Sequence, residues 1–370
     1  MKFSFTSEQE EFRSILRRFL EGKSPTKEVR RLMETDGGWD RDAWKKINQE
    51  IGLTAVAIPE AYGGQGFGCS ELCIVLEEAG RTVLCAPLFA STFAAYTILD
   101  AGDEAQKKAL LPGIASGETV ATVASTEESG NWDPESVRMT ATAAGGGYKL
   151  DGMKSFVIDG HTADLIVVLA RTAQGLSLFT VRGDAAGLQR KLLKTIDTTR
   201  KLAKLTFTAV DATPLGPVGG AAAPFARTLT RAAVCLANEM VGVAEKLRES
   251  ALDYAKMRMQ FGRPIASFQS MKHKQADMLV DVEMAKSAAY YAAAAVDDGD
   301  SDLPAIASLA KASASDAVLQ TAIHTIQIHG GIGFTWDNDS HLWFKRAKSS
   351  EVMLGDAAYH RELMMRRWAA

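Results

Sequence analysis

Apolar positions recur along this chain with two different periods, and the change of period divides it into three blocks. From the start to about residue 116 the spacing is helical. Phe12, Ile15, Leu16, Phe19 and Leu20 share one face, because side chains three and four apart lie together on an α-helix. Residues 1–20 therefore read as an amphipathic helix, with Glu8, Glu10, Glu11, Arg13, Arg17 and Arg18 among its polar positions. Residues 73–80 and 88–99 continue the pattern, and Asp103 opens a further helix running to Leu111. Between them, Pro59-Glu60-Ala61-Tyr62-Gly63-Gly64-Gln65-Gly66 is a loop, since proline starts turns and glycine accepts positive φ.

Over residues 117–215 the period shortens. Segments 148–158, 164–171, 176–182 and 202–210 are rich in Val, Ile, Phe and Thr, and Gly145-Gly146-Gly147, Asp159-Gly160, Gln174-Gly175 and Gly183-Asp184 separate them. This predicts a small antiparallel β domain, because no helix-length pattern lies between the strands to carry parallel crossovers. A Gly/Pro/Ala linker, residues 214–224, follows. Beyond it Leu229, Ala233, Leu236, Met240, Val243 and Leu247 mark one face of a long helix. Residues 271–296 and 304–328 predict two more long, alanine-rich helices, and residues 357–368 a last one. The expected class is α+β, with an N-terminal helical domain (1–116), a middle antiparallel β domain (117–215) and a C-terminal helical bundle (222–370).

Composition narrows the function classes. With 42 basic and 45 acidic residues the net charge is -3, so no global field draws the chain to nucleic acid or anionic lipid. No apolar run approaches the length of a membrane span, and residues 1–20 lack the uninterrupted apolar core of a signal peptide. Cys69, Cys73, Cys85 and Cys235 match no zinc or redox spacing, and the scattered histidines suggest no metal site. A reduced, cytoplasmic protein is expected.

Four local motifs then agree with one family. Pro59-Glu60-x-Tyr62-Gly63-Gly64, Asp151-Gly152-x-Lys154 followed by Asp159-Gly160, Arg258-x-x-Phe261-Gly262-x-Pro264-Ile265-x-x-Phe268-Gln269, and Gln327-Ile328-His329-Gly330-Gly331-x-Gly333-Phe334 occur in this order. Together they resemble the acyl-CoA dehydrogenase superfamily over nearly the whole chain. The last two signatures are long and specific. The resemblance implies a four-helix bundle as the C-terminal domain, FAD as cofactor, an acyl-CoA substrate and electron-transfer flavoprotein as acceptor. It also implies that Arg258, Gln260, Phe261, Phe268, Gln269, Gln327, Gly330 and Gly331 reach a flavin held mainly by a neighbouring subunit. The residue types suit that task. Arginine offers a fork of donors to pyrophosphate oxygens, glutamine both donates and accepts, and paired glycines let a ligand approach the backbone closely. His329 reads as a helix-end hydrogen-bonding residue and is assigned no chemistry.

The chain departs from the family where the chemistry resides. The usual base lies in an E-G-T whose counterpart here is Leu354-Gly355-Asp356, and its alternative address on the helix after the β domain falls at Ala232. Neither side chain accepts a proton. Two carboxylates remain as candidate bases. Glu239 lies two turns beyond Ala232 at the edge of the apolar stripe, and its bland alternative is a structural ion pair. Asp356 adjoins the last helix, and its alternative is an N-cap. The flavin-lining T-E-P-x-A-G-S-D loop is replaced by Thr126-Glu127-Glu128-Ser129-Gly130-Asn131-Trp132-Asp133, and the strand residue usually threonine is Ile158. Gly333-Phe334-Thr335-Trp336-Asp337-x-Asp339-x-His341-Leu342 is similar to the branch oxidising steroid-derived thioesters. Three readings stay open: a subunit sharing a flavin site with an unlike acyl-CoA dehydrogenase partner, a self-sufficient homotetramer using Glu239 or Asp356, and a non-catalytic scaffold.

Overall fold

The computed structural model describes residues 5–368. Its first elements are helices α1 (Ser7–Lys23), α2 (Thr26–Met33), α3 (Arg41–Ile51), α4 (Cys69–Arg81), α5 (Leu88–Ala101) and α6 (Glu104–Ala115). Strands β1 (Ala121–Ala124), β2 (Thr140–Ala144), β3 (Gly147–Ile158), β4 (Leu165–Thr172), β5 (Gly175–Arg182), β6 (Leu188–Leu192) and β7 (Leu202–Leu215) follow. The long helix α7 (Ala222–Met257) leads to a hairpin of β8 (Met259–Gln260) and β9 (Arg263–Pro264). Helices α8 (Gln269–Asp298), α9 (Leu303–His329), α10 (Ser340–Val352) and α11 (Ala357–Trp368) complete the chain. Two compact units form: one from the chain up to Arg31, Cys69–Leu84 and Ala233 onward, the other from Leu32–Gly68 and Cys85–Ala232.

Helix starts follow the side-chain chemistry. Thr6 with Gln9 and Asp103 with Gln106 form reciprocal capping boxes on α1 and α6. Helix α6 runs past the expected end at Leu111 to Ala115, with Pro112 inside its last turn.

In the second unit the strands are ordered β1-β4-β2-β3-β7-β5, and β4 also pairs with β5, so the pairing closes on itself. Most neighbours are antiparallel, as expected where no helix-length pattern lies between the strands. The exceptions are β1, which runs parallel to β4 through Ala121–Ala124, and the single β2–β4 pair at Thr140 and Arg171. Strand β6 lies along β7. The expected linker is shorter than residues 214–224, since β7 continues to Leu215 and Pro224 already lies in the first turn of α7, where a missing N–H costs nothing.

In the first unit α9 packs against α8, α10 and α11. The stripe from Ala233 through Leu236, Met240, Val243 and Leu247 is buried on α7. Helices α4 and α7 touch backbone to backbone. A Cβ on Gly80 would lie 2.2 Å from the Glu239 carbonyl oxygen, and one on Gly242 would lie 1.9 Å from that of Glu77. Gly→Ala inside a helix ordinarily gains about 1 kcal/mol. Gly242→Ala is instead expected to cost about 2 kcal/mol or more, because overpacking forces the helices apart. Denaturant titration at unchanged m-value measures it, and a gain in stability would contradict the backbone contact.

Candidate functional site

The residues of the two long signatures are brought together in the first unit. Arg258 leaves the end of α7 with its N–H on the Tyr254 carbonyl, and its own carbonyl accepts from Ile265 N–H at 2.8 Å. The β8–β9 hairpin turns through Phe261 (φ 52°) and Gly262 (φ 75°), the pair of positive φ values that a two-residue turn of matching twist needs. This turn lifts Phe261 into solvent, where it is 91% exposed. Its ring meets Phe268 edge-on at 6.0 Å, and the Arg263 guanidinium lies 4.1 Å over the Phe268 ring. Gln260 and Gln269 are exposed beside them. Beneath the segment, Tyr254, Ile265, Ala266 and Met271 pack on Ala251, Ala255, Met278 and Ile328. Ile328 follows Gln327, so one apolar cluster ties the Arg258–Gln269 stretch to the end of α9.

That end is tightly fixed. His329 is buried, its Nδ1 donates to the Thr325 carbonyl at 2.8 Å, and its ring stacks on Tyr254 at 4.4 Å. Gln327 Oε1 accepts from Lys274 Nζ at 3.1 Å. Gly330 stops the helix at φ 64°, ψ -139°, a region that only glycine enters readily. Gly331 has no such conformational demand, and a Cβ on either glycine would meet nothing within 4 Å. Beyond Gln327 an apolar hollow of about 530 Å³ is lined by Ile323, Ile326, Phe334, Trp336 and Phe344.

The two carboxylates singled out as candidate bases are differently placed. Glu239 lies at the α4–α7 crossing, is 3% exposed, and accepts from Arg346 Nη1 at 2.8 Å through Oε1. Arg346, on α10, is equally buried; the sequence pattern singled out Glu239 but not this partner. Asp356 is exposed, and its Oδ1 accepts from Tyr359 N–H at 2.8 Å, which caps α11. The two inert addresses are both buried: Ala232 on α7, and Leu354 in the α10–α11 turn at φ 59°. Behind that turn stands Lys311, a fully buried lysine of α9 that sequence reasoning passed over. Its only trace in the sequence is a charge set among alanines, Ala310-Lys311-Ala312.

The loop 126–133 belongs to the second unit and is held by a polar network. The Glu127 carboxylate accepts from the N–H groups of Arg138 and Met139 and from Lys154 Nζ at 3.0 Å; Lys154 also donates to the Ser125 carbonyl. Burial pushes the Glu127 carboxyl up, but the Met139 N–H and the Lys154 ammonium outweigh it and keep it below its ordinary value. Trp132 is half-buried and Ile158 buried. In the first unit Cys69, Cys73 and Cys235 gather with their sulfurs within 4.8 Å of one another, a grouping their spacing does not reveal. Burial pushes the Cys73 thiol well up, which suits small apolar packing.

Comparison with known proteins shows the family. The descriptions "Acyl-CoA dehydrogenase, N-terminal domain", "middle domain" and "C-terminal domain" match residues 6–118, 122–210 and 222–369. The acyl-CoA dehydrogenase IpdE2 of Mycobacterium tuberculosis is 32% identical over 329 residues, 88% of this chain and 86% of that one. Among solved structures, a variant of the Tcur3481–Tcur3483 steroid ACAD is 32% identical with a TM-score of 0.89 over 98% of both chains. The ChsE4–ChsE5 complex of Mycobacterium tuberculosis is 26% identical with a TM-score of 0.91 over 100% of this chain and 99% of that one. The chain belongs to the acyl-CoA dehydrogenase family.

Its cofactor is accordingly FAD and its chemistry an oxidation of acyl-CoA. Among the described residues no helix is long and apolar enough to cross a membrane. The surface reached by the two signatures keeps charged and amide donors with open glycines, whereas both base addresses are apolar. Removing one partner of the Glu239–Arg346 pair leaves a buried charge, so Glu239→Gln is expected to lower stability by about 3 kcal/mol. Asp356→Ala is expected to cost about 1 kcal/mol as a lost cap. Urea unfolding of both variants checks this, and a Glu239→Gln variant as stable as the parent would contradict it.

Proposed function

We propose that this chain is one subunit of a heteromeric FAD-dependent acyl-CoA dehydrogenase, completing a flavin site held mainly by an unlike but related partner. The observation that carries the reading is the division of labour on this chain. Arg258, Gln269, Gln327, Gly330 and Gly331 stand exposed or open over one apolar cluster, while Leu354 and Ala232 fill the base addresses with hydrocarbon. Gln260, Phe261 and Phe268 complete the reaching segment. The Phe334 and Trp336 side chains around the neighbouring hollow are largely exposed, and apolar surface of that kind is where subunits associate.

In this reading bound FAD would supply a hydride acceptor for the acyl β-carbon, and the base for the α-proton would come from the partner. This chain's part is to hold. The Arg258 guanidinium would offer donors to pyrophosphate oxygens, Gln269 and Gln327 would donate and accept at the adenosine half, and Gly330 and Gly331 would leave the backbone open to the dinucleotide. The substrate we assign is a steroid-derived acyl-CoA, supported by the similarity to a steroid ACAD structure. Electron-transfer flavoprotein is the acceptor in this reading.

The self-sufficient alternative needs Glu239 or Asp356 as base. The Arg346 pair and the helix cap weigh against both, since each carboxylate already serves a structural partner. A pure scaffold would have no use for Gly331, which nothing inside the chain requires.

Two substitutions separate holding from folding. Arg258→Ala is expected to weaken flavin retention by the partnered assembly roughly tenfold to hundredfold, the worth of a lost charged hydrogen bond. Gly331→Val is expected to leave the melting temperature within about 2 °C, because its side chain meets nothing at home, yet to reduce flavin retention at least as much. Flavin fluorescence after gel filtration measures both. Retention unchanged in both variants would remove Arg258 and Gly331 from the flavin site.

A further inference from the structure

The turn between α10 and α11 holds a strain that a simple connection does not need. Leu354 sits at φ 59°, and a left-handed conformation costs a residue with a side chain on the order of 1 kcal/mol. Glycine would avoid that cost, and the neighbouring Gly355 shows that the turn can use one. Such strain persists only where the surroundings over-determine it.

Here they do. His360 Nε2 donates to the Leu354 carbonyl at 3.0 Å. Lys311 Nζ donates to the carbonyls of Gly355 at 2.8 Å and Glu351 at 3.0 Å, and to Ser315 Oγ at 3.0 Å. The Glu351 carbonyl is in the last turn of α10, where helix carbonyls lack intrahelical donors. Asp356 Oδ1 closes the far side on Tyr359 N–H. Both clamping side chains are buried. We propose that Lys311 and His360 are positioning residues that lock the α10–α11 turn and thereby the placement of whatever side chain occupies position 354. The chain then keeps a formed mount at the base address although the mounted group is a leucine. The inference rests on the proposed function only in taking position 354 as that address.

Burial pulls Lys311 from its ordinary 10.5 down to about 7, so the clamp has a pH signature. Glu351 from α10, Asp356 at the head of α11 and His360 from α11 are the titratable groups that face it. Burial pulls His360 down to about 4, so it stays neutral near pH 7 and above. Opening the turn hydrates Lys311 and restores its ordinary value. Between pH 7 and 10 opening therefore takes up a proton and becomes harder as pH rises.

Hydrogen exchange by mass spectrometry on the full chain, corrected for intrinsic rates, tests this at residues 353–360. Lys311→Met is expected to raise exchange there at least tenfold, since two buried carbonyls lose their donor. In the parent, protection should rise from pH 7 to 9 by up to tenfold per unit, and Lys311→Met should flatten the profile. His360→Phe gives a second route to the same loosening. Exchange in Lys311→Met within twofold of the parent, or an unchanged pH profile, would each overturn the proposal. None of these readouts needs flavin or a partner, so a failure of the shared-site reading leaves a distinct mark.

Discussion

Backbone contact between α4 and α7 at Gly80 and Gly242 is the constraint on which the helical unit depends. Two helices that close leave no room for a solvated pocket at their crossing. Glu239 sits there, so its carboxylate has to be paired rather than free to work, and Arg346 reaches in from α10 to do it. A third helix is thus tied to the crossing by charge. Buried pairs of this kind add little net stability against a well-packed apolar alternative, yet breaking one is costly. They hold a position rather than perform a reaction.

The same logic separates the two faces of the chemistry. Groups that hold a dinucleotide can stand in solvent on an exposed hairpin, because charged donors and open glycines incur no desolvation cost until the ligand arrives. A proton acceptor must instead be desolvated and unpaired to have a useful pKa. On the shared-site proposal, Arg258, Gln327 and Gly331 are groups of the first kind, and Leu354 and Ala232 put hydrocarbon where the second kind would be. A related partner with an intact base and ring cradle makes the combination sensible.

Much of this was legible before any coordinates. The apolar stripe from Ala233 to Leu247, the four long strands and the two late signatures each rest on a strong local period or a long motif, and family membership followed from the motifs. Short elements escaped for physical reasons. Strand β1 is buried throughout and shows no alternation, β2 is built of Ala and Thr, and β6 is largely polar and exposed. The parallel placement of β1 beside β4 is a tertiary choice that no local pattern records. For Asp356 the capping alternative could be stated from its place before α11. For Glu239 an ion pair could be suspected, but Arg346 lies far along the chain and nothing local names it. Lys311 is harder still, because a lysine on a helix normally reads as solvated, and only the acceptors brought by α10 and α11 account for its burial.

The central claim is that one flavin is shared between unlike subunits, gripped by this chain and cradled by its partner. Flavin stoichiometry measures it most directly. The chain is purified alone and after co-expression with candidate related subunits, and bound FAD is counted against protein by absorbance and native mass. The account calls for negligible flavin on the chain alone and one FAD for each unlike pair. A yellow, active homotetramer carrying one FAD per copy of this chain would contradict it.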